Sequence, residues 1–448
     1  MHWYSYLQNK CLLFSIQLDS FPLKLTNEQS KLYLLFRNNV IIMFQKMIIP
    51  LLSFLIMACS GSNPPESKKV SKPFNEIVKF HPVSNKLKEY YASLIAPIYE
   101  KQLLKTGFNG AILLAKNGEI VFEDYRGFIN LKTKDPITAN STFHLASISK
   151  TFTAMTILRL MEQKKLTLDD QVAKYLNGFP YSITIKNLLS HRSGLPKYDH
   201  LMAGTRSYVS RKKNRRGKWV NYTVFVKDPI SVTGMSTNND VLRYLIELRP
   251  ALESAPNRRY SYCNTNYAIL ALIIEKITGI NYPKYMKDSV FTPLGMKDTY
   301  VFSIKDTANY VPSYNYNKAP FPLEKLDCVY GDKNIYSTVR DLLLWDRALY
   351  LGSFINAESL ALSFEPLSNE TRGYKNYGLG WHLFNKPPDP LIVYHNGWWH
   401  GNNTVFKRLI SDTATVIILG NKFNRNIWSA GRMSSVFTGN SDTTNLIE

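Results

Sequence analysis

The sequence predicts an α+β fold in which both ends of the chain build one sheet and a helix-rich insert, about residues 150–345, lies between them. Two observations predict it. Apolar runs bounded by turn residues fall at 110–125 and again after Gly378. Between them the apolar period lengthens to three and four residues, the spacing of helices. Composition sets the frame. A chain of 448 residues, 45% hydrophobic and 20% charged, has an ordinary globular balance. That excludes a disordered chain, and 22 Gly without a triplet period exclude collagen. Four Cys are too few for a disulfide scaffold. No apolar run reaches the roughly 20 residues of a spanning helix without a charge or Pro inside it, which argues against a polytopic membrane protein.

In chain order, the first segment reads as an address. Met43-Phe44-Gln45-Lys46 is a basic start, Met47 to Ala58 is a short apolar stretch, and Cys59 follows a small residue. Ile56-Met57-Ala58-Cys59 resembles the lipobox of bacterial lipoproteins, which implies lipid attachment at Cys59. Residues 1–42 do not suit a signal of normal length, so Met43 or Met47 is expected as the start. Residues 1–58 are then a leader, 59–84 a flexible tether opening with Ser60-Gly61-Ser62-Asn63-Pro64-Pro65, and 85–448 the functional domain. The expected location is the cell envelope, with the protein held to a membrane by its lipid and facing the periplasm or the exterior.

Asn85 to Leu104 has helical apolar spacing. Gly110 to Ala115 is an apolar strand, Asn117-Gly118 a two-residue turn, and Glu119 to Tyr125 the return strand. From Ser147 a helix follows, with Phe152, Met155, Leu158 and Met161 on one face. Tyr267 to Ile277 is apolar on nearly every side and reads as a buried helix. Asp341 to Leu349 is another helix. Strands return at Gly380–Phe384, Leu391–Tyr394, Thr404–Phe406 and Thr415–Leu419.

The net charge is +21. Seven of the cations crowd one acid-free run, Arg206, Arg211, Lys212, Lys213, Arg215, Arg216 and Lys218, which reads as an exposed loop. An exported protein rarely meets nucleic acid, so that partner is set aside. An anionic membrane surface or cell-wall polymer is the better candidate.

Most catalytic motifs are missing. There is no H-E-x-x-H, P-loop, G-x-S-x-G or paired C-x-x-C. His395 and His400 lie close in sequence without a third ligand, so no metal is expected. Three elements remain. Ser147-Ile148-Ser149-Lys150 places an amine one helical turn from a hydroxyl, and a hydroxyl needs such a base to become a nucleophile. Tyr262-Cys263-Asn264 precedes the buried helix and offers a phenol to relay a proton and an amide to hold a carbonyl. His395-Asn396-Gly397-Trp398 lies at a strand end. There Gly397 would let a substrate backbone approach, and the Trp398 N–H would donate to an oxyanion. Ser210-Arg211-Lys212-Lys213 repeats the first spacing, but without an apolar helix behind it.

Taken together and in this order, these elements resemble the serine β-lactamase and penicillin-binding-protein family, in its class C β-lactamase-like branch. The connecting text carries the likeness too: Phe143-His144-Leu145-Ala146, Ser190-His191-Arg192-Ser193-Gly194-Leu195-Pro196, Pro293-Leu294-Gly295-Met296 and Tyr377-Gly378-Leu379-Gly380-Trp381. The resemblance implies a β-lactamase/transpeptidase-like fold, an antiparallel sheet flanked by helices plus a helical lobe, with the site between. It implies Ser147 as acylated nucleophile, Lys150 as its base, Tyr262 as proton relay and Asn264 as a substrate amide, with no cofactor. It casts His395, Asn396, Gly397 and Trp398 as substrate-binding. His395 stands where the family carries Lys, which weakens attraction for a substrate carboxylate at neutral pH. The function so read is an exported serine hydrolase acting through an acyl-enzyme on an amide or ester, such as a cell-wall D-amino-acid peptide or a small ester. The alternative is a non-catalytic or slowly acylating penicillin-binding sensor. Pairing of Cys263 with Cys328 is left open.

Overall fold

The computed structural model describes residues 78–438, apart from 203–205, 227–229, 231, 306–309 and 371. The leader and Cys59 lie outside the described residues. Residues Pro73–Glu448 form one compact unit.

Helix α1 (Asn85–Gln102) starts where the Ser84 hydroxyl accepts from the Leu87 N–H. Strands β1 (Gly110–Lys116) and β2 (Glu119–Arg126) form the expected hairpin. Its turn residues Asn117 and Gly118 both have positive φ, which fits the twist of the flanking strands. Helix α2 (Ser149–Glu162) follows a short 3₁₀ turn, Ala146–Ile148. The basic run departs from expectation. It is not a loop but an antiparallel hairpin, β3 (Arg206–Lys213) and β4 (Trp219–Val226). Its β-branched and aromatic residues from Trp219 to Val226 carry strand propensity that the charge density obscured. Asn214 closes the turn by accepting from the Arg216 and Lys218 N–H groups, and Gly217 supplies the positive φ.

Helix α3 (Asn238–Leu248) begins at a Thr237–Asp240 capping box. Helix α4 (Asn264–Thr278) has a core of residues 265–274 that are all buried, as its all-round apolarity requires. Helix α5 (Val339–Tyr350) is capped by Thr338. The chain ends on β5 (Lys375–Tyr377), β6 (His382–Phe384), β7 (Ile392–Trp399), β8 (Asn402–Leu409) and β9 (Ala414–Gly420), followed by short helical turns.

The main sheet has the order β5-β6-β7-β8-β9-β1-β2. All its pairings are antiparallel. β9 pairs with β1 from Gly110↔Gly420 to Lys116↔Ala414, so both ends of the chain meet in one sheet. The strand alternation divides two cores. On one face Ala111, Leu113, Phe406, Ile417 and Leu419 join the helices of the insert and α5. On the other, Ile112, Leu114, Val405, Val416 and Ile418 pack on Ile95 and Tyr99 of α1 and on Ile427, Trp428 and Met433. A buried ion pair ties sheet to helix: Arg408 Nε of β8 lies 2.6 Å from Asp346 Oδ1 of α5.

Candidate active site

Ser147 sits in the middle of the 3₁₀ turn that leads into α2. Ala146, just before it, has φ +49°, a left-handed conformation that strains a residue with a Cβ by about 1 kcal/mol. His144 holds this turn. Its Nδ1 lies 2.9 Å from the Ala146 N, and its Nε2 lies 3.0 Å from Asn334 Oδ1. Burial pushes the His144 imidazole down to about 4, so the ring is neutral and accepts on Nδ1 while donating from Nε2.

The 3₁₀ turn and first helical turn bring Lys150 back under Ser147. Lys150 Nζ lies 3.0 Å from Ser147 Oγ and donates to the Asp332 carbonyl at 2.8 Å. The Lys150 side chain is fully buried, its Nζ 5.1 Å from the Tyr262 ring centre and 5.7 Å from that of Tyr267. Tyr262 comes from the extended segment before α4, and its hydroxyl lies 2.9 Å from Ser147 Oγ. Asn264 opens α4, and its Nδ2 lies 3.3 Å from Asp199 Oδ2. Serine, amine and phenol, 115 residues apart at the extremes, thus converge on one oxygen.

β7 forms the opposite wall. β6 pairs with it only from Ile392 to Tyr394, so the next residues of that edge face the Ser147 turn. A Cβ on Gly397 would stand 2.5 Å from the Leu145 carbonyl and 2.3 Å from Thr404 Oγ1. Gly397 is therefore needed for strand and turn to touch, a closer reason than the approach of a substrate. Thr404 Oγ1 secures the contact by donating to the Leu145 carbonyl at 2.9 Å.

Ser147, Tyr262, Asn264, Asn396, Gly397 and Trp398 line one open cleft of about 730 Å³. Aromatic Tyr260, Phe321, Tyr394, Trp399 and Trp428 share its walls with Lys197, Lys375, Asp199 and Glu324. Trp398 is 58% exposed. The strand period puts Tyr394, Asn396 and Trp398 on one side of β7 and Gly397 and Trp399 on the other, and all five reach the cleft. His395 shares the side of Gly397, and its ring lies 6.3 Å from that of Tyr262, but it is not among the residues that line the cleft. His395 is fully buried, with Nε2 3.4 Å from the Tyr377 hydroxyl and its ring 4.9 Å from that of His382.

The residues beneath Tyr262 were not singled out from sequence. The His191 ring lies 4.3 Å from that of Tyr262, and its Nδ1 accepts from the Cys263 N–H at 3.1 Å. Burial first, then the charge of Lys150, pushes His191 well below the ordinary imidazole range. Tyr198 donates to Asp332 Oδ2 at 2.7 Å and accepts from the buried Lys333, so the segment that anchors Lys150 is itself cross-linked. His191 belongs to the Ser190–Pro196 segment, whereas Tyr198, Asp332 and Lys333 carry no local signal. Cys263 and Cys328 are free thiols.

A family model described as Beta-lactamase matches residues 98–426. The chain belongs to the beta-lactamase family. Penicillin-binding protein 4* of Bacillus subtilis (strain 168) is 33% identical to it over 335 residues, covering 71% of this chain and 69% of that protein. A D-aminopeptidase of Brucella anthropi is 27% identical over 246 residues, 54% of this chain and 42% of its own length. The crystal structure of a penicillin-binding protein from Bacillus halodurans has the same fold. Its TM-score is 0.61 at 21% identity, covering 75% of this chain and 97% of that one. This beta-lactamase-family chain is a serine hydrolase built on the β-lactamase/transpeptidase fold.

Proposed function

We propose that the chain is a cell-envelope hydrolase that cleaves amide or ester bonds through an acyl-enzyme on Ser147. One observation carries this reading: Ser147 Oγ lies within 3.0 Å of both Lys150 Nζ and the Tyr262 hydroxyl at the cleft. In the proposed cycle, Lys150 as free amine takes the Ser147 proton as Oγ bonds to the substrate carbonyl carbon. The carbonyl π pair moves onto oxygen, where the N–H groups of Ser147 and Trp398 receive it. Collapse breaks the bond to the leaving amine or alcohol, which takes a proton through Tyr262. Water then attacks the ester, and Ser147 leaves with its proton restored.

Asn264 and Asn396 hold the acyl side by its amide, and the aromatic walls receive the flanking groups. The relatives named penicillin-binding protein and D-aminopeptidase favour a D-amino-acid peptide as substrate. Lipid attachment at Cys59 would keep the enzyme at the envelope, where such peptides occur.

The test is the intact mass of the protein after incubation with benzylpenicillin and, separately, turnover of D-alanyl p-nitroanilide and p-nitrophenyl acetate. A one-ligand adduct or turnover that Ser147→Ala abolishes, by roughly 10⁴-fold or more, is the expected result. Unchanged turnover in Ser147→Ala would overturn the reading.

A further inference from the structure

The β3–β4 hairpin takes no part in the cleft, yet it concentrates charge and apolar surface in an unusual way. Its described side chains from Arg211 to Trp219 are all exposed. They include Arg211, Lys212, Lys213, Arg215, Arg216 and Lys218, and the whole span 206–226 holds no acid. None of these six cations forms an ion pair among the described residues. The hairpin is a two-stranded sheet of its own and pairs with no strand of the body among the described residues.

The register places the rest. Lys213 pairs with Trp219, Arg211 with Asn221 and Val209 with Thr223. Alternation puts Val209, Arg211, Lys213 and Trp219 on one face. Val209 is 66% exposed and Trp219 64%. The other face carries Lys212 opposite Val220, and Tyr222, which is 38% exposed. The Lys213 and Lys212 ammonium groups stand over the Trp219 and Tyr222 rings at 5.6 and 4.8 Å. Arg215, Arg216 and Lys218 crown the turn. Met202 before the hairpin and Ile230 after it are buried in the main core.

Exposed Trp and Val gain nothing from water, and six unpaired cations repel one another. A surface that relieves both must be anionic and must offer an apolar layer beneath its charges. A bilayer of anionic lipid has that order: phosphates outermost for Lys and Arg, then the interfacial zone in which Trp and Tyr settle. A water-soluble polyanion would satisfy the cations and leave Val209 and Trp219 wet.

We propose that this hairpin is a membrane-docking element that binds the surface of an anionic lipid bilayer, with the turn cations on the headgroups and Trp219 at the interface. Docking is independent of the catalytic reading and of lipid attachment at Cys59. Each turn cation brought to such a surface contributes about 1 kcal/mol, or about fivefold in partitioning. Removing Arg215, Arg216 and Lys218 should therefore weaken binding on the order of a hundredfold.

The test uses residues 73–448, the compact unit with both cores, so that neither leader nor lipid contributes. Cosedimentation is measured with vesicles of phosphatidylglycerol and phosphatidylcholine in equal parts, and with phosphatidylcholine alone. The expected result is binding to the anionic vesicles only, weakened by salt. It is lost in Arg215→Ser/Arg216→Ser/Lys218→Ser and reduced in Trp219→Ser, while turnover of p-nitrophenyl acetate and the circular dichroism spectrum do not change. Absent binding to anionic vesicles, or binding that the triple variant retains, would overturn the proposal. So would equally tight binding to lipid-free polyglutamate with no effect of Trp219→Ser, which would assign the hairpin to a soluble polymer.

Discussion

At the scale of single residues, the site depends on groups kept neutral or cross-linked by burial. His144 accepts from the Ala146 N–H only while its Nδ1 is unprotonated. The unfolded chain takes up a proton on this ring below about 6.5, whereas burial holds the folded ring at about 4. Below 6.5 the unfolded state therefore binds more protons, and stability falls as pH drops from about 6.5 to about 4. Buried His191 acts in the same direction. Denaturation midpoints measured across that range should fall with pH, with a smaller slope in His144→Gln. An identical slope would show that His144 titrates as it does in water. Tyr198 bridges Asp332 and Lys333 with one hydroxyl. Tyr198→Phe should cost about 1–3 kcal/mol by leaving buried polar groups unmet. It should also lower kcat more than it changes KM, because Asp332 anchors Lys150. Urea midpoints and p-nitrophenyl acetate kinetics together check both halves.

At the scale of elements, two contacts position the cleft walls. The first is β7 against the Ser147 turn, where a Cβ at Gly397 would collide with backbone and with Thr404. Gly397→Ala should separate the walls. Turnover is then expected to fall by at least tenfold while the far-UV circular dichroism is retained; full activity would show that the contact is dispensable. The second is α5 against the sheet through Asp346 and Arg408. Arg408 is fully buried, with its guanidinium 4.4 Å from the Tyr350 ring centre. Asp346→Ala leaves that cation without its partner and should destabilise by about 3–5 kcal/mol. A calorimetric shift in Tm of less than a degree or so would contradict this account.

At the scale of the molecule, the sheet and the helical insert share one apolar core. Leu113 of β1, Ile417 of β9, Phe152 of α2 and Ile269 of α4 belong to the same cluster. A sheet closed by β9 on β1 cannot form without both ends of the chain. Unfolding of residues 73–448 is therefore expected to be a single cooperative transition, with near- and far-UV signals coincident. Separate transitions for the two signals would mean that the insert is a domain of its own.

Elements with local causes were legible along the chain. The Asn117-Gly118 hairpin, the buried helix after Tyr262 and the late strands follow from turn chemistry and period, and the Ser147–Lys150 spacing follows from helix geometry. The motif order also identified the family. How those motifs meet depends on packing between distant elements. Tyr262 reaches Ser147 across more than a hundred residues because α4 packs beside α2. His395 is buried because Tyr377 and His382 of the neighbouring strands pack against it. Tyr198, Asp332 and Lys333 form one cluster that no local pattern announces. Local signals fix a backbone's conformation, whereas distances between distant side chains are set by the packing of whole elements, which a linear pattern does not encode.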